Sequence, residues 1–146
     1  MVVTPEYAGD LSAREAWALL ESNPDAQLVD VRTMAEWAFV GLPELAKVHR
    51  ELLCVEWQNY PAGARNPDFV AATTEKLRNI GATAETPVVF LCRSGGRSRS
   101  AAIAMTKAGY SKAYNLSGGF EGGHDAAGHR GTQDGWKATG LPWRQS

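Results

Sequence analysis

Short buried strands alternating with amphipathic helices predict an α/β fold, a central and mainly parallel sheet with helices on both faces. Three observations carry that expectation. Leu28-Val29-Asp30-Val31, Val88-Val89-Phe90-Leu91 and Ala113-Tyr114-Asn115-Leu116 are short, largely apolar runs of the kind that fill the interior of a parallel sheet. Helical patterns stand before the first run and between successive runs. At 146 residues the chain is long enough for one hydrophobic core and short for two ordinary domains, so residues 1–146 are expected to form a single domain.

The elements follow in order. Ser12 with Glu15 three residues on is a capping-box signature, and Ala13, Ala16, Trp17 and Leu20 recur at helical spacing behind it. Ser22-Asn23-Pro24-Asp25 stops that helix, and the first strand follows. Thr33 with Glu36 repeats the capping box and opens a short second helix. Residues 44–66 follow no clear pattern, apart from a helical piece around Glu51–Trp57. Asn66 as cap and Pro67 as first helical residue then begin a helix with Val70, Thr73, Leu77 and Ile80 on one face, ended by Gly81. After the second strand, Ser98–Ala108 reads as a helix closed by Gly109, and the third strand leads into a Ser117-Gly118-Gly119 turn. Five glycines within residues 122–135 mark an irregular surface loop.

Composition narrows the function classes. The chain is 44% hydrophobic and 21% charged, as in a soluble globular protein, and its net charge of -1 gives no global attraction to nucleic acid or an anionic membrane. Any preference for anions has to come from a local site. No apolar stretch is long enough to span a bilayer, and Met1–Glu6 lacks the basic and apolar regions of a secretory signal. Two cysteines, Cys54 and Cys92, are too few for a disulfide framework, so free thiols in a cytoplasmic setting are expected.

The chemistry concentrates in Cys92-Arg93-Ser94-Gly95-Gly96-Arg97-Ser98. The cysteine stands where a buried strand ends and before a helix begins, the place where open α/β sheets bind ligands. Unsatisfied amides and the positive end of the helix dipole favour a thiolate over a thiol. Gly95 and Gly96 permit positive φ and close backbone approach, so successive amides can form an anion nest. Arg93 and Arg97 add fixed positive charge. A cysteine so placed is an activated nucleophile.

This loop resembles the active-site loop of the rhodanese family. Leu28-Val29-Asp30-Val31-Arg32 with Glu36-Trp37 resembles the family's upstream motif, and Leu116-Ser117-Gly118-Gly119-Phe120 with Gly135-Trp136 and Gly140-Leu141-Pro142 resembles its closing one. The matched pieces bracket residues 28–142 and imply a single rhodanese-like domain. The resemblance implies a thiosulfate sulfurtransferase without a cofactor. Cys92 would take sulfur as a persulfide from a donor such as thiosulfate, then pass it to a thiol or cyanide acceptor. Arg93, Ser94, Gly95, Gly96, Arg97 and Ser98 would form the substrate-binding loop, and Asp30 and Arg32 would brace it from below. Partners would be a small-molecule donor and a thiol acceptor, or a protein acceptor, with neither nucleic acid nor membrane.

Alternatives stand beside this. Rhodanese-like domains also serve as binding modules or persulfide relays. Phosphatases and arsenate reductases of related fold use C-x5-R, which would place arginine at 98, whereas this chain has Ser98 there and arginine at 97. Asp30 and Arg32 also read as a helix cap and a surface ion pair, and Arg99 as a solvated helix residue. Cys54, in Leu52-Leu53-Cys54-Val55, reads as core. His124, Asp125 and His129 lie in the glycine-rich loop and lack a third strong ligand, so no metal is expected there. Two segments depart from the family pattern: Gly41-Leu42-Pro43-Glu44, after which residues 44–66 follow no placeable pattern and hold Trp57 and Tyr60 as candidates to line an acceptor pocket, and an insert at about residues 123–134 expected to cover part of the Cys92 pocket.

Overall fold

The structure, a computed structural model, describes residues 6–145. Seven strands and five α-helices follow in the order β1 (Gly9–Leu11), α1 (Ala13–Ser22), β2 (Gln27–Asp30), α2 (Met34–Phe39), β3 (Leu42–Pro43), β4 (Leu53–Cys54), α3 (Phe69–Asn79), β5 (Val88–Leu91), α4 (Gly96–Lys107), β6 (Ala113–Leu116), α5 (Gly135–Ala138) and β7 (Trp143–Arg144). Five strands form one sheet in the order β1-β6-β5-β2-β4, every neighbouring pair parallel. β3 and β7 make a separate antiparallel ribbon.

The side-chain period of two divides the core between the faces of the sheet. Val29, Val31, Val88 and Phe90 pack with Phe69 and Leu77 of α3 and with Ala101, Ala102 and Met105 of α4. Leu28, Val89, Leu91 and Leu116 pack on the other face with Ala13, Ala16 and Leu20 of α1 and Trp136 of α5. All four residues of β5 are fully buried, as the unbroken run Val88–Leu91 requires of an interior strand.

The two capping boxes form as expected: Ser12 and Glu15 satisfy each other's amides at α1, and Thr33 and Glu36 do so at α2. Elsewhere the structure departs from the sequence expectation. The helical piece around Glu51–Trp57 is instead β4 and its flanks, because Leu53, Val55 and Trp57 alternate inward beside β2. α3 begins at Phe69 and not at Pro67, since the Asn66 side chain accepts the Asp68 amide and delays the first helical turn. α4 begins two residues earlier than Ser98, at Gly96. Among the described residues, no helix is long and apolar enough to cross a membrane.

Candidate functional site

Cys92 follows β5 directly, with β2 and β6 on either side of that strand. It is almost wholly buried. The Gly95 amide donates to Cys92 Sγ at 3.1 Å. Gly95 is the N-cap of α4 and has φ of +113°, a conformation that L side chains rarely adopt. Gly96 does not share it: it enters the helix directly, so the loop uses one left-handed glycine where the sequence suggested two.

The rest of the loop is held from its carbonyl side. Phe120 N–H donates to Cys92 O at 2.8 Å, and the Glu121 and Gly122 amides donate to Arg93 O at 3.0 and 3.1 Å. In a trans peptide the N–H points opposite the preceding C=O. The amides of Arg93 and Ser94 therefore face away from residues 120–122. This close approach depends on Gly119, whose φ is +60° and where a Cβ would lie 2.4 Å from Cys92 O.

Asp30 and Arg32 are fully buried and joined at 2.7 Å, so the alternative of a surface ion pair is ruled out. Arg32 Nε bonds both Asp30 oxygens, and Nη2 also donates to Gly41 O at 2.7 Å. The cap of α2 is Thr33 and not Asp30, whose Oδ1 instead accepts the Arg32 amide. The Arg32 guanidinium stacks 4.3 Å from the centre of the Phe120 ring. A continuous path thus runs from the buried pair through Phe120 to the Cys92 carbonyl.

Arg97 is not a free charge beside the sulfur. It forks onto Glu36 at 2.7 and 3.0 Å, and Glu36 is at the same time the capping-box carboxylate of α2. Burial works to raise the Glu36 carboxyl, but the hydrogen bonds and charge of Arg97, with the Thr33 amide, outweigh it and hold it below its ordinary value of 4.5. Arg93 and Ser94 are exposed. Arg99 is exposed as well and stacks on Tyr7.

Ser98 is fully buried, with its hydroxyl oxygen 3.2 Å from Cys92 Sγ and 2.6 Å from Asn115 Oδ1. Asn115 Nδ2 donates to Asp10 Oδ1 at 3.0 Å, and Tyr7 O–H donates to the same oxygen at 2.9 Å. Sequence reading placed Ser98 in the loop but missed Asn115 and Asp10. The signal was available, since an asparagine inside an apolar strand has to find hydrogen-bond partners.

A cleft of about 660 Å³ opens beside the loop, lined among others by Glu36, Phe39, Tyr60, Arg93, Arg97 and Arg130. Phe39 and Tyr60 are 82% and 71% exposed. Arg130 belongs to the glycine-rich segment and donates to Gly122 O at 2.6 Å. Trp57 does not line the cleft: it is buried against Phe69. The glycine-rich segment is built around Asp125, whose carboxylate accepts the Ala127 and His129 amides and the Thr132 hydroxyl. Cys54 lies opposite Asp30 in β4, and Asp30 lies opposite Leu91 in β5. Two strand spacings, roughly 10 Å, thus separate Cys54 from the end of β5, too far for a disulfide with Cys92. Burial, and then the charge of Asp30, push the Cys54 thiol up to about 12.

A family model described as the STR4 middle domain matches residues 8–146. A crystal structure of Rv0390 from M. tuberculosis superposes with a TM-score of 0.84 at 51% identity, covering 96% of this chain and 99% of that one. The RP600 homolog of Rickettsia rickettsii is 37% identical over 135 residues, 92% of this chain and 96% of that protein. The thylakoid rhodanese-like protein of rice is 27% identical over 135 residues, only 25% of its own length. The thiosulfate sulfurtransferase GlpE of Actinobacillus pleuropneumoniae is 25% identical over 133 residues, 91% of this chain and 90% of that protein. The five-stranded parallel sheet, the loop at the end of β5 and these likenesses agree, and the chain belongs to the rhodanese-like family.

Proposed function

We propose that this chain is a cytoplasmic sulfurtransferase of rhodanese type that carries sulfane sulfur as a persulfide on Cys92. One observation carries the reading: Cys92 Sγ sits at the end of the central strand, at the head of α4, accepting the Gly95 amide, with the Ser98 hydroxyl 3.2 Å away. Such a setting places a backbone donor and a hydroxyl where they can bond the outer or inner sulfur of an anionic persulfide. The likeness to a thiosulfate sulfurtransferase over nine-tenths of both chains supports thiosulfate as donor.

In the first step the Cys92 thiolate attacks the outer sulfur of thiosulfate. The S–S bond of the donor breaks, and sulfite leaves with the bonding pair. In the second, an acceptor thiolate attacks the outer sulfur of the persulfide, and the Cys92 thiolate leaves in turn. Arg93 and the amides of the loop, Ser94 to Ser98 included, receive the anionic donor, while Asp30 and Arg32 hold the loop through Phe120.

The cleft favours an acceptor larger than cyanide. Its volume of about 660 Å³, the exposed rings of Phe39 and Tyr60, and the guanidinium groups of Arg93 and Arg130 suit a carboxylate-bearing thiol or the cysteine segment of a protein. The insert would act through Arg130, on the acceptor side.

Intact-mass spectrometry after brief incubation with thiosulfate tests both halves. The expected result is a gain of one sulfur that is absent from Cys92→Ser and removed by cyanide or a thiol. Arg130→Ala should load at the parental rate but discharge more slowly to glutathione than to uncharged 2-mercaptoethanol. Absence of a sulfur adduct from thiosulfate, 3-mercaptopyruvate and an organic persulfide alike would refute the reading and leave a binding module.

A further inference from the structure

The Ser98 hydroxyl has one proton and two acceptors within reach, Asn115 Oδ1 at 2.6 Å and Cys92 Sγ at 3.2 Å. Asn115 cannot turn to relieve that competition. Its Nδ2 donates to the Asp10 carboxylate at 3.0 Å, and a turned amide would set Oδ1 against that carboxylate. Asp10 is itself held by the Tyr7 hydroxyl, which Arg99 contacts from α4. The first strand of the sheet thus fixes which atom of Asn115 faces the hydroxyl beside the sulfur.

We propose that Asp10 and Asn115 are positioning residues for Cys92, holding the Ser98 proton on Asn115 while the sulfur is a thiol and releasing it to the sulfur when the sulfur becomes anionic. With a thiol, Ser98 donates to Asn115 and offers a lone pair to the S–H. With a thiolate or persulfide, the proton rotates to the sulfur and the Asn115 bond is given up. On ionisation the sulfur's own proton passes to water, and within the relay only the Ser98 hydroxyl rotates. The loop amide of Gly95 serves the anionic sulfur in a fixed way, whereas Ser98 serves it only on demand.

This arrangement has a sign. Asn115 competes with the anionic sulfur, so removing its carbonyl should favour the thiolate. Other charged groups around the loop are the exposed Arg93, Arg97, already paired with Glu36, and the buried Asp30–Arg32 pair. Around Asp10 stand Tyr7 and Arg99, with Glu6 beyond. None of these is altered by substitution at Asn115.

The test is the pH profile of Cys92 alkylation by iodoacetamide, in a Cys54→Ser background. Release of one hydrogen bond should move the Asn115→Leu and Asp10→Ala profiles to lower pH by about half to one unit, or about 3- to 10-fold faster alkylation on the acid side. Ser98→Ala should move it the other way, and adding Asp10→Ala to Ser98→Ala should change nothing further. Asp10 is exposed, so its variant carries the test if Asn115→Leu fails to fold. A shift from Asp10→Ala that persists without Ser98 would expose a simple field effect and overturn the relay, as would no shift or one to higher pH. The role in sulfur transfer rests on the function proposed above, but alkylation reads the thiol alone. A Cys92 that takes no sulfur yet shows the expected shifts would sink that function and leave the relay standing.

Discussion

Arg32→Met should be among the most destabilising single substitutions in this chain. The change removes a guanidinium that makes three contacts with Asp30, one with Gly41 O and a stacked contact with Phe120. It leaves the Asp30 carboxylate with no accessible surface and no counter-charge. Breaking such a buried pair costs about 3–5 kcal/mol, a large share of the roughly 5–15 kcal/mol that holds a domain folded. Arg32 Nη1 has no hydrogen-bond partner, so the pair already carries one desolvated donor, and the low end of that range applies. At about 2–4 °C per kcal/mol for a chain near this size, the melting temperature should fall by roughly 6–12 °C. Urea unfolding should show a lower midpoint at constant slope. The double variant Asp30→Leu/Arg32→Met removes both charges and should recover much of the loss. A single variant within about 1 kcal/mol of the parent, or a double variant as damaged as the single, would refute this reasoning.

Gly119→Ala should cost more than about 1 kcal/mol and depress persulfide formation, because its Cβ meets only backbone at Cys92 and Arg93; Gly123→Ala, with nothing within 4 Å, is the silent control in the same mass assay. The lowered Glu36 carboxyl predicts a pH dependence. Its folded value lies below the ordinary 4.5, so its contribution is complete above 4.5 and lost as pH falls below it. Urea midpoints should therefore decline on the acid side less steeply in Glu36→Gln than in the parent, and parallel declines would count against the pairing.

Much of this arrangement could be read from residues because it is written locally. The capping boxes at Ser12 and Thr33, the unbroken run Val88–Leu91 and the glycines around the cysteine each act within a few residues of themselves. What escaped was decided by partners distant in sequence. Gly9-Asp10-Leu11 has little strand character and becomes a strand only because Leu116 and its neighbours offer an unpaired edge. Leu52–Val55 has no helical fate beside β2, although its apolar run suits either state. The partner of Arg97 lies 61 residues away, and Asp10, one of the two partners of the Asn115 amide, lies 105 away. Spacing within the loop could not disclose that one arginine is already neutralised or that a buried amide reaches the sulfur through Ser98.

The amides of residues 120–122 that clasp the carbonyls of Cys92 and Arg93 also impose an order of assembly. A ribosome that has just released α4 has produced the cysteine but not the segment that shapes its loop. The first strand is also unsatisfied then, because β1 pairs with β6 near the far end of the chain. The shape of the loop at Cys92 is therefore set only once residues 113–122 have been made, and a chain cut short of them carries the cysteine on an unclasped loop.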